Sequence, residues 1–132
     1  WVHDAWIAML MGATSNLAAL PTPLIAYRQH GANQIGIPRP GQNRGRTCAA
    51  VHGPQVLRYE KALEHLLELG NRFPESGHNI QRLEGTLNFL RAIAALPDAR
   101  WRRLPGALRE LVALRYHRYA KGFRSFYQDL TR

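Results

Sequence analysis

Two groups of chemically capable side chains bracket an uncharged run near the start of this chain. The first is His3-Asp4-Ala5-Trp6, and after Asp4 no charged residue occurs until Arg28. Asp4 therefore stands at the edge of an apolar segment. A carboxylate at a helix N-terminus accepts backbone N–H bonds and is kept ionised by the positive end of the helix dipole. An ionised carboxylate beside a pocket can equally serve as a general base. The residue types allow both roles, helix cap and catalytic group. The second group, Tyr27-Arg28-Gln29-His30, closes the run with an arginine suited to phosphate pairing and a histidine able to ligate metal. A lone histidine is just as compatible with a surface or capping position.

The elements that must position these groups follow from periodicity and punctuation. Residues 5–13 read as a short helix that starts after His3-Asp4 and ends at Gly12 and the polar Thr14-Ser15-Asn16. Residues 17–20 and 24–29 read as two short strands around Pro21-Thr22-Pro23, because proline excludes helix there. Between Gly31 and Gly53 the composition turns to Gly, Pro, Asn, Gln and Arg, which predicts a long loop, either ordered by a ligand or disordered.

The second half is predicted helical. Val56, Tyr59, Leu63, Leu66 and Leu67 mark one apolar stripe; Ile80, Leu83, Leu87, Leu90 and Ala94 mark another, ending before Pro97. These two helices should pack antiparallel across Phe73-Pro74-Glu75-Ser76-Gly77. A third stripe runs from Leu108 through Leu111, Val112, Tyr116, Tyr119, Phe123 and Phe126 to Leu130, with a break expected near Gly122.

Basic residues interleave with aromatics in this tail, where Arg115, His117, Arg118, Lys121 and Arg124 alternate with Tyr116, Tyr119, Phe123 and Phe126. That pattern fits an amphipathic helix on an anionic membrane, and it also fits a core face backed by a solvated one. Arg100, Arg102 and Arg103 around Trp101 could stack on and pair with nucleic acid, but no recognised nucleic-acid-binding signature accompanies them. The histidines at 52, 65, 78 and 117 have no spacing that indicates a metal site, and no phosphate-cradling glycine motif or nucleophile elbow is present.

Composition sets the outer bounds. With 132 residues, 45% of them apolar and 20% charged, the chain suits one compact globular domain. The uncharged run is interrupted by Ser15, Asn16 and the prolines, short of the ~20 apolar residues a membrane span requires. No signal peptide precedes the body, and a chain opening on Trp1 is expected to be part of something longer. Cys48 is the single cysteine, which fits a reducing compartment. The net charge is +9, and all the cations but Lys61 and Lys121 are arginine. An anionic partner is implied: nucleic acid, anionic lipid or a sugar-nucleotide diphosphate.

Taken together, HDAWIAML, PLIAYRQHGANQIG and RYHRYAKGFRSFYQDL resemble the C-terminal part of bacterial family 2 glycosyltransferases, especially rhamnosyltransferase-like members. In that family an acidic base motif, His/Glu-Asp-x-Trp, starts a helix and a Tyr-Arg-x-His-Gly-x-Asn segment follows. Both occur here in order, and the family's Tyr-x-x-Tyr-x-x-Gly-x-x-Ser pattern falls on Tyr116, Tyr119, Gly122 and Ser125.

The resemblance implies an inverting sugar transfer on a GT-A fold. Asp4 matches the catalytic base, with His3 and Trp6 lining the acceptor or sugar pocket. Arg28 and His30 match positions near the donor diphosphate, with His30 a ligand of a divalent metal, Mg or Mn, expected in the full-length enzyme. The nucleotide-binding N-terminal half with its Asp-x-Asp motif is not in this sequence, so the chain alone is expected to be inactive.

The expected fold is therefore mainly α with two short β-strands: a GT-A fragment over 1–36, a flexible loop over 37–53 and a helical region over 54–132. The expected partners are a nucleotide-sugar donor, a saccharide or lipid-linked acceptor in surface polysaccharide synthesis, the N-terminal catalytic half and an anionic membrane surface. The expected location is the cytoplasm, peripheral to the inner membrane. The competing expectation is a basic helical module that binds nucleic acid or anionic membrane.

Overall fold

A computed structural model of the chain describes residues 6–8, 11, 18, 20–24, 45–69 and 77–132. Among these the architecture is helical, in the order α1 (Cys48–Leu69), α2 (Gly77–Ala94), α3 (Arg100–Val112), α4 (Arg115–Tyr119) and α5 (Phe123–Thr131). Residues 6–8 and 11 are also helical, as the sequence predicts. No strand occurs among the described residues. Ala18, Leu20 and residues 21–24, which fall on or between the two expected strands, have no regular structure, and residues 25–29 lie outside the described residues.

The first helix starts earlier than its Gly53-Pro54 pair suggests, so residues 48–53 belong to α1 and not to the expected loop. Two side chains explain the difference. Thr47 caps the helix, its Oγ1 accepting the Ala50 N–H at 3.1 Å. Pro54 has no N–H to offer the carbonyl of Ala50 four residues back, and Arg46 Nη2 donates to that oxygen at 3.4 Å. A cation from outside the helix thus replaces the donor that proline removes.

Helices α1 and α2 form an antiparallel pair. Glu60 accepts from Arg91 Nη2 at 2.7 Å, and Cys48 at the start of α1 clusters with Ile93 near the end of α2. The inward positions are Ala62 and Leu66 on α1 and Leu87, Phe89, Leu90 and Ile93 on α2. Leu67, expected on the inner stripe, is exposed instead.

The third apolar stripe is not one helix but parts of three. Leu114 adopts a left-handed conformation (φ 58°, ψ 13°) that ends α3 and starts α4, its carbonyl accepting the N–H groups of His117 and Arg118. Gly122 makes the second corner at φ 58° and ψ −134°, a region open essentially to glycine alone, and a Cβ there would press on the His117 ring. The expected break near Gly122 is therefore present, while the one at Leu114 carries no sequence signal. Between the corners Tyr116 is fully buried, with Phe89 and Phe126 set edge-on to its ring at 5.1 and 5.6 Å. Rings in this T-shaped arrangement attract one another beyond the area they bury.

A non-glycine residue in the left-handed region is strained by about 1–2 kcal/mol, and Leu114 is mostly exposed, so little packing offsets it. Leu114→Asn is expected to raise stability by up to about 1 kcal/mol, and Leu114→Ile to lower it by a similar amount because β-branching worsens the clash. Thermal melting of the two variants checks both signs.

Candidate functional site

Most of the buried polar groups of the described residues gather at one place, where the first turns of α1 meet the end of α5. Asp129 lies at its centre and is 2% exposed. Its Oδ1 accepts from His52 Nε2 at 2.9 Å and faces Arg132 Nε at 3.5 Å, while its Oδ2 accepts from the Tyr116 hydroxyl at 3.2 Å. Its main-chain oxygen accepts from Arg103 Nη1 at 3.2 Å, and the Cys48 thiol points at the same atom from 3.7 Å. His52 Nδ1 is buried and has no hydrogen-bond partner among the described residues.

Arg103 is buried to the same degree and, among the described residues, pairs with main-chain oxygens. Its Nε donates to Pro97 at 2.7 Å, Nη2 to Asp98 at 2.6 Å, and Nη1 to both Asp129 and Arg132. One guanidinium therefore joins the α2–α3 connection to the last turn of α5, where helix carbonyls lack intrahelical donors and favour a cation. Glu110, the third buried charge, is held between Arg109 Nε at 3.3 Å and Arg115 Nη1 at 3.1 Å.

Cys48, His52 and Asp129 invite comparison with a nucleophile, base and orienting acid, but the geometry is that of a structural cluster. Burial pushes the Cys48 thiol above its ordinary value, and the Asp129 carboxylate raises it further. The residue is fully buried, and its sulfur faces a carbonyl. An inert, protonated thiol results. No group of three or more His, Cys, Asp or Glu side chains among the described residues is placed to hold a metal ion.

Of the residues assigned by sequence to the transfer site, Trp6 lies among those described. It is half-buried in a short helical segment and sets its ring edge-on to His65 of α1, centroids 5.4 Å apart. His3, Asp4, Arg28 and His30 lie outside the described residues, so their expected roles in a base and diphosphate site are neither met nor opposed by this geometry. No protein-family model, curated protein or solved structure matches this chain. Function must rest on the residues themselves.

The buried cluster carried no sequence signal of its own. Cys48 and His52 share a helix face, but nothing in the sequence pairs them with Asp129, and Arg103, which the sequence places in a basic cluster around Trp101 able to meet nucleic acid, is instead buried. The cluster knits the first described long helix to the last one, and that is the chemistry its geometry supports.

Two outcomes test this. Tyr116→Phe removes the donor to Asp129 Oδ2 and should lower stability by about 1–3 kcal/mol in urea unfolding. Burial and the Asp129 carboxylate also push the Tyr116 phenol above its ordinary value, so the unfolded chain releases this proton first as pH rises. Its contribution is present below about pH 10 and is lost above it, and Tyr116→Phe should flatten that alkaline fall. Separately, Cys48 should resist iodoacetamide in the folded chain and react in denaturant, read by mass spectrometry.

Proposed function

We propose that this chain is the C-terminal segment of an inverting glycosyltransferase that moves a sugar from a nucleotide-sugar donor to a saccharide or lipid-linked acceptor. The observation that carries it is the ordered pair of motifs, His3-Asp4-Ala5-Trp6 and Tyr27-Arg28-Gln29-His30-Gly31. Each supplies what such a transfer needs: a carboxylate ionised in advance and, on the far side of the reacting carbon, positive charge for the departing diphosphate.

In this reading Asp4 takes the proton from the acceptor hydroxyl as the hydroxyl attacks the anomeric carbon. His3 and Trp6 shape the acceptor pocket, and the edge-on contact of Trp6 with His65 fastens that pocket to α1. Arg28 pairs with the leaving diphosphate. His30 would be among the residues that hold a divalent ion, Mg or Mn, which when bound would add charge neutralisation at the diphosphate. The remaining ligands and the nucleotide pocket belong to a preceding catalytic half. Surface polysaccharide assembly on the cytoplasmic side of a membrane is the setting we assign.

The test uses the full-length enzyme. Asp4→Asn should lower turnover by roughly 10²–10⁴-fold while donor affinity, measured by calorimetry, changes little. Turnover within a few-fold of the parent would remove Asp4 from the base role.

A further inference from the structure

Helix α3 is amphipathic in the reverse of the usual sense. Its buried positions are Arg103, Ala107 and Glu110, Leu111 is partly buried against the core, and four other apolar side chains, Trp101, Leu104, Leu108 and Val112, face solvent, with Trp101 and Val112 74% and 78% exposed. On a helix of 3.6 residues per turn these four fall within one arc of roughly 100°. The helix cannot roll to hide them, because turning it would break the bonds of Arg103 to Pro97, Asp98, Asp129 and Arg132.

The charge around this face has one sign. Every exposed charged residue from 99 to 132 is Lys or Arg, since Glu110 and Asp129 are both buried. Arg102 and Arg109 follow the apolar arc along one edge, and the Arg102 guanidinium lies over the Trp101 ring at 4.8 Å from its centroid. Exposed acids are carried instead by α1 and α2, at Glu64, Glu68 and Glu84, and by Asp98 just before α3.

We propose that α3 is a peripheral membrane-docking helix, lying flat on an anionic bilayer with Trp101, Leu104, Leu108 and Val112 in the headgroup–acyl boundary and Arg102 and Arg109 on lipid phosphates. An exposed tryptophan beside leucines and arginines is the composition such interfacial helices use. No helix of the described residues is long and apolar enough to cross a membrane, so the contact is to a surface. Nucleic acid would meet the cations but leave the leucines and valine without a partner, which favours lipid. This inference goes beyond the glycosyltransferase reading and stands without it.

The experiment is co-sedimentation of the 132-residue chain with phosphatidylcholine vesicles, alone or carrying about one third phosphatidylglycerol. Binding is expected to the anionic vesicles and to weaken as salt rises. Arg102→Gln should reduce partitioning by about fivefold, and Leu108→Glu by at least about tenfold, with circular dichroism unchanged. Leu57→Glu, an exposed leucine on α1, should bind as the parent does.

Equal binding to both vesicle types, or parental binding by Leu108→Glu, would overturn the proposal. So would failure to bind vesicles, whether the chain instead forms a dimer that Leu108→Glu dissociates or takes up DNA at low salt. A result of that kind is distinct from loss of the Asp4 role, because vesicle binding requires no sugar transfer.

Discussion

The placement of α3 and α5 in the helical body depends on one buried guanidinium. Removing an arginine side chain from water is costly unless its donors are satisfied, and Arg103 meets that condition with four main-chain oxygens drawn from two distant stretches of chain. Because the partners are backbone atoms, their positions are set by how the α2–α3 turn and the end of α5 fold. The arginine therefore fixes the relation between these segments, and with it the inward face of α3.

Two other parts of the fold follow. With Arg103 turned inward, Glu110 on the same face is inward too, and Arg109 and Arg115 must close over it. With the end of α5 held, Asp129 is delivered to His52 and Tyr116, which places the aromatic cluster of Phe89, Tyr116 and Phe126 against the end of α2. The polar and aromatic layers are thus adjacent and share Tyr116, whose ring belongs to one and whose hydroxyl belongs to the other.

Helices α1 and α2 were legible in the sequence because their apolar spacing and the polar turn between them leave few alternatives. The true start of α1 was hidden: Gly53-Pro54 looks like a boundary, and only Thr47 as cap and Arg46 as substitute donor carry the helix through it. The corner at Leu114 was hidden for the opposite reason, since leucine is a helix former and nothing local marks it for a left-handed turn. For α3 the spacing identifies two faces but not which one turns inward, because a periodic stripe assumes that the apolar side is buried. Of the residues assigned to the transfer site, Trp6 alone lies among those described, and the cluster around Asp129 joins residues too far apart in sequence for spacing to connect them.

The Asp129 cluster also bears on the order in which the chain can fold. Cys48 and His52 meet their partner across most of the described sequence, a closure that carries a large loss of chain entropy and is rewarded only once the intervening helices are packed. The contacts of the α1–α2 pair, such as Glu60 with Arg91, span far less of the sequence. Closing the last helix onto the first is then the step that makes the body cooperative: until α5 arrives, His52 and Arg103 remain hydrated, and water must leave both when it docks. A chain whose synthesis has not reached residue 129 would hold a partly built helical layer with its apolar interior open on one side, the stage at which such a protein is most prone to self-association.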